Sequence, residues 1–134
     1  MAKLHEIEGI GATYAAKLEA AGVATLEQLL NHGSSQKGRS ELAEKTGIGD
    51  ALILKWVNRA DLARVKGVGS EYADLLELAG VDSVPELGQR SPENLHQKLA
   101  QVNANKKAVR QTPSQRQVEN WVTQAKELPR VVTH

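Results

Sequence analysis

Three triplets, Gly9-Ile10-Gly11, Gly47-Ile48-Gly49 and Gly67-Val68-Gly69, are the places where this chain could do chemistry. Glycine tolerates backbone angles that other residues avoid, so each triplet permits a tight turn whose central aliphatic residue can drop into a core. A helix that opens directly after such a turn carries amide N–H groups with no partner inside the helix. Those amides, with the positive end of the helix dipole, form a small anion site suited to a phosphate oxygen. At the first triplet Gly11, Ala12 and Thr13 would donate the amides and Lys17 would add charge; at the third, Lys66 precedes the turn. A dinucleotide-type phosphate loop is excluded, because GIGATY has no third glycine and follows no strand.

Other chemistry finds no support. The chain has no cysteine, so it offers no thiolate nucleophile and no cysteine-ligated zinc. His5, His32, His96 and His134 are scattered without metal-ligand spacing, and no serine or threonine sits in a nucleophile elbow. Acidic pairs such as Glu6/Glu8 and Glu41/Glu44 read as solvated helix faces. The expectation is a protein that is not an enzyme and has no metal, no cofactor and no small-molecule substrate. No apolar run approaches the roughly twenty residues of a membrane span, and the start, MAKLHEIEGIG, lacks a signal-peptide core. A cytoplasmic location follows as the default.

The elements that must hold these turns repeat. Residues 7–29 and 65–87 share ten identities over 23 positions, among them Gly11/Gly69, Tyr14/Tyr72, Leu18/Leu76, Gly22/Gly80 and Leu29/Leu87. Downstream the match loosens but pairs Trp56 with Trp121 and Ala60 with Ala125, and the second copy carries extra residues in NANKKAVRQTP. Composition is rich in Ala, Leu, Glu, Lys and Gln, which favours helices. Gly22 and Gly80 sit where a helix end wants a left-handed residue. Thr25 with Gln28 and Ser83 with Glu86 read as capping boxes. Ser91-Pro92 and Thr112-Pro113 read as caps followed by a first-turn proline. Val118, Trp121, Val122, Ala125 and Leu128 form one apolar stripe, so the two tryptophans are expected to anchor the core rather than stack on bases.

The pattern I-x-G-I-G-x-x-Y-A-x-x-L-x-x-A-G-V-x-T-x-x-x-L, read from Ile7 to Leu29, resembles a helix-hairpin-helix motif with its trailing helix. The doubled arrangement is similar to an uncharacterised bacterial family of small paired helix-hairpin-helix proteins. The resemblance implies an all-α fold of two tandem helix-hairpin-helix (SAM-like helical) units, 1–64 and 65–134, packed on a shared core. The second unit would carry an insertion near 103–112. It also implies contact with DNA phosphates through the hairpin amides, without reading sequence.

The chain departs from that pattern where binding members carry a lysine or arginine after the second glycine: it has Ala12-Thr13 and Ser70-Glu71 instead. From Gly67 to Gln89 there are five acidic residues and no basic one, which opposes phosphate binding. Basic character gathers from Arg90 to Arg116, densest at Lys106, Lys107 and Arg110, as a phosphate-contacting patch or as a solvated helix face. Net charge is only +1. The leading expectation is weak, sequence-independent binding of the DNA backbone. Its residues are Gly9, Ile10, Gly11, Ala12, Thr13, Lys17, Gly47, Ile48, Gly49, Lys66, Gly67, Val68, Gly69, Lys106, Lys107 and Arg110. The alternative, motivated by the near-neutral charge, is a protein-interaction or scaffolding module without nucleic-acid binding.

Overall fold

A computed structural model describes residues 4, 7, 10–107 and 109–133. Among these the chain is all helix and contains no strand. Its elements are α1 (Ala12–Ala20), α2 (Leu26–His32), α3 (Gln36–Thr46), α4 (Asp50–Leu62), α5 (Ser70–Leu78), α6 (Val84–Gly88), α7 (Pro92–Lys106) and α8 (Gln115–Glu127). They form two compact units: Met1–Asp61 with Val131–His134, and Leu62–Arg130. The buried apolar side chains divide the same way. One cluster runs from Leu4 to Ala60 and takes in Val132; the other runs from Leu62 to Ala125. Each unit thus has its own core, where one continuous core had been expected.

In the first unit α3 packs on α1 and α2; in the second, α8 packs on α6 and α7, and α5 on α7. The entry to α1 is a staircase of buried aliphatics. The Ile7 amide donates to the Leu4 carbonyl (3.0 Å) and the Ile10 amide to the Ile7 carbonyl (3.2 Å). Leu62, Val65 and Val68 repeat the staircase before α5, with both bonds at 3.1 Å. All six side chains are at most 4% exposed, and burying an aliphatic of this size is worth about 1.5–3 kcal/mol.

Both α1 and α5 end in the same way. Gly22 and Gly80 take φ of +91° and +92°. Each is followed by a valine whose amide donates back across the helix end, Val23 to Leu18 and Val81 to Leu76, both at 2.8 Å. The glycine amides donate to Glu19 and Glu77 (3.0 and 2.9 Å), which completes a Schellman motif. The valine–leucine pair under each motif is fully buried. Across each unit, Tyr14 meets Trp56 and Tyr72 meets Trp121 with ring centroids 5.1 Å apart. As the repeated spacing implied, both tryptophans are core residues, at 1% and 2% exposure.

The caps hold with adjustments. Thr25, Ser35, Ser83 and Ser114 each accept a backbone amide from the first turn of their helix. The Gln28 side chain takes the Ala24 amide (2.7 Å), one residue upstream of the cap. Glu86 does not return to Ser83, because Arg90 holds its carboxylate through Nε (3.2 Å) and Nη2 (3.0 Å). The cap assigned to Thr112-Pro113 falls two residues later. Ser114 and Gln117 close a full capping box there, while the Thr112 hydroxyl accepts from Asn103 instead (3.3 Å).

A buried arginine ties the last described residues into the first unit. Arg39 donates to the carbonyls of Gly33 (2.9 Å), Ser34 (3.3 Å) and Thr133 (2.7 Å). The Thr133 amide donates to Ser34 (2.7 Å) and Val132 is 3% exposed. Burial pushes the Arg39 pKa down from its ordinary value and the nearby Asp50 pulls it back up.

Gly22→Ala and Gly80→Ala each force a Cβ into a left-handed angle and lower stability by about 1–2 kcal/mol. Gly49→Ser meets no positive φ and nothing within 4 Å, so it changes stability by no more than a few tenths; urea denaturation of the three variants gives the comparison. Arg39→Gln leaves the buried Gly33 carbonyl without its donor and costs about 1–2 kcal/mol, read in the same assay.

Candidate nucleic-acid interface

The three turns share a geometry. The middle residues Ile10, Ile48 and Val68 are 3–4% exposed, so they plug the core, while Gly11, Gly47, Gly49, Gly67 and Gly69 stay on the outside. Gly47 and Gly67 take the left-handed angles (φ +73° and +94°); Gly9 lies outside the described residues. The second glycines do something else. Gly11 and Gly69 are the N-caps of α1 and α5, in extended conformation and with no side-chain cap bond. A glycine at the cap brings no oxygen of its own, so the first-turn amides are left to solvent or to a ligand.

Electrostatics separates the three. The first turn of α5 contains Glu71 and that of α4 contains Asp50, carboxylates that already complement the helix dipole. The first turn of α1 contains no acid, and Gly11, Ala12 and Thr13 are all exposed. Lys17 is not at this end. It lies in the last turn of α1, about 9 Å along the axis from Gly11 at 1.5 Å per residue, with its Nζ 6.0 Å from the centre of the Tyr14 ring.

The basic segment is only partly a helix face. α7 runs on through Lys106, and Lys107 closes it in a left-handed conformation (φ +51°). The loop that follows is pinned by Asn103, whose Oδ1 accepts the Val109 amide (2.9 Å) and whose Nδ2 donates to Thr112. Lys107 and Arg110 then line a hollow of 530 Å³ together with Glu71 of α5. The insertion therefore brings cations to the acidic end of the second turn. Lys106 does not line this hollow.

The Lys66–Gly67 turn faces a larger groove, 810 Å³ and open to solvent, walled by α8. The side chain of Gln124 clamps the turn, accepting the Lys66 amide (2.8 Å) and donating to the Lys66 carbonyl (3.0 Å). Gln117, Asn120 and Gln124 line this groove beside the apolar stripe of α8. Attention to that stripe alone passed them over; their three- and four-residue spacing was the available signal. Among the described residues there is no cluster of His, Cys, Asp or Glu able to hold a metal ion, and no helix is long and apolar enough to cross a membrane.

An all-helical chain built around glycine turns with buried plugs is the class that this fold and site define. It belongs to the family described as a domain of unknown function, DUF4332, whose model matches residues 8–128. No curated protein and no solved structure matches the chain.

Asn103→Ala orphans the Val109 amide and frees the loop that carries Lys107 and Arg110. The expected result is a loss of about 1 kcal/mol and faster hydrogen exchange at Val109, with the amides of α1 unchanged.

Proposed function

We propose that the chain is a non-enzymatic binding module that engages the nucleic-acid backbone weakly and without reading sequence, through the start of α1. In this reading the two units are tandem helix-hairpin-helix modules, and the first is the principal phosphate site. The observation that carries the proposal is the state of α1: a glycine cap with no side-chain oxygen, no acid in the first turn, and exposed residues at Gly11, Ala12 and Thr13. Of the three helices that follow Gly-x-Gly turns, α4 and α5 each hold a first-turn carboxylate. The buried Ile10 holds the turn while nothing lies within 4 Å of a Gly11 Cβ position, so a phosphate oxygen can come close. Lys17 is too far along the helix to dominate, which agrees with weak affinity.

Binding of labelled duplex and single-stranded DNA, followed by anisotropy across salt, tests this. The expected slope of log K against log salt is about −2 to −4, for two to four phosphates. Gly11→Asp gives the helix its own carboxylate cap, so stability holds or rises by a few tenths of a kcal/mol. Because that carboxylate occupies the amides, the same variant weakens DNA binding and removes about one phosphate from the slope. Gly69→Asp, with the same charge change at α5, leaves binding close to the parent's. Equal losses in both variants would reduce the effect to net charge and overturn the α1 assignment. Absence of any binding at low salt would favour the second reading, a protein-interaction module, for which the acidic α5 and the near-neutral net charge speak.

A further inference from the structure

We infer that the groove between the Lys66–Gly67 turn and α8 is a second, separate phosphate-ester site, built from side-chain donors rather than helix amides. It lies in the other unit from α1 and shares no residue with the start of that helix, so it stands or falls independently of the α1 reading.

The side-chain amides of the groove are oriented by the backbone groups that they bind. Gln117 Oε1 accepts the Ser114 amide (2.8 Å), and Gln124 Oε1 accepts the Lys66 amide. A backbone N–H can only donate, so both oxygens must point where they do. Gln124 Nε2 then donates to the Lys66 carbonyl and to Asn120 Oδ1 (2.6 Å), which fixes Asn120 as well. Each of the three amide oxygens thereby accepts a bond within the protein, which sets the direction in which each amide points. The Nδ2 of Asn120 and the Nε2 of Gln117 have no protein acceptor among the described residues, so donors are what this wall has to offer.

The indole N–H of a buried side chain joins them. Trp121 is 2% exposed yet lines the groove. Its Nε1 lies 3.0 Å from where a Cβ on Gly67 would stand, and it has no hydrogen-bond acceptor among the described residues. The missing Cβ leaves the indole N–H a clear approach to the groove. With the ring 2% exposed and Tyr72 tilted against it, the contact on offer is a hydrogen bond and not stacking.

Charge selects the ligand. Lys66 and Arg116 line the same groove, and its one acid among the described residues, Glu127, stands toward the Lys66 end of α8, away from Ser114 and Arg116. Neutral donors surrounded by two cations suit an acceptor-only anion, and a phosphate oxygen accepts several such bonds. The groove is much larger than one phosphate, so the anion is expected as part of a longer molecule, either a nucleic-acid backbone or a phosphorylated small molecule.

The test uses the ¹⁵N-labelled full chain, whose two tryptophans give two indole N–H resonances, with Trp56 as internal control. Inorganic phosphate and an oligothymidylate are titrated separately, with chloride matched for ionic strength. The expected result is a saturable shift of the Trp121 indole that Trp56 does not share. Arg116→Gln and Asn120→Asp are expected each to weaken it about tenfold. Asn120→Asp keeps the oxygen that Gln124 requires, so its loss of binding is not a loss of fold. A shift with both ligands identifies backbone phosphate as the source; a shift with inorganic phosphate alone identifies a small phosphate compound. If Trp121 moves no more than Trp56, if chloride reproduces the shift, or if neither variant weakens it, the site does not exist.

Discussion

Burial of one aliphatic side chain at the centre of each Gly-x-Gly turn is the constraint from which most of the molecule follows. For Ile10, Ile48 and Val68 to point inward, the chain on either side must turn outward within a residue. A left-handed residue does this at Gly47 and Gly67. The following helix must then start at once, from a glycine that has no oxygen to cap it. Exposed amides at α1 and α5 are therefore a by-product of plugging the core. Function is not needed to explain the turns. What needs explaining is how the chain treats the amides once they are exposed.

It treats them differently in each place. Glu71 and Asp50 supply carboxylates to α5 and α4, as helices that only need stabilising are expected to have. α1 receives none, although the buried staircase, the glycine cap and the Schellman end are all repeated at α5. That difference in charge is what the proposal for α1 rests on.

Much of this was legible in the sequence because its signals are local. The positive-φ glycines, the Thr25 and Ser83 caps, the buried tryptophans and the apolar stripe of α8 all lie within one or two helical turns of the residues that announce them. What escaped depends on distance or on competition. The Arg39–Thr133 bond spans 94 residues, and nothing near Arg39 distinguishes it from a surface cation. Ser83 and Glu86 had the spacing of a capping box, but Arg90 outbids the cap for the carboxylate because a charged pair beats a neutral amide. Thr112 lost its cap to Ser114 for a related reason: Gln117 can close the box from Ser114, and Asn103 takes the threonine hydroxyl. The division into two cores was beyond a pattern argument, since periodicity says which face of a helix is buried but not against what.

The same competition explains the groove beside α8. Gln124 is drawn to the Lys66 backbone because that turn, bent around the buried Val68, has an amide and a carbonyl that no helix satisfies. Satisfying both uses each end of the Gln124 side chain and leaves its second amide hydrogen for Asn120. The orientation then propagates: one turn's backbone deficit fixes Gln124, Gln124 fixes Asn120, and the capping box fixes Gln117 from the other end. Asn120 and Gln117 are thereby left with amide N–H groups that pair with nothing among the described residues. The orientation of Asn120 is set by the plugged glycine turn, which is the same cause that exposes the amides of α1.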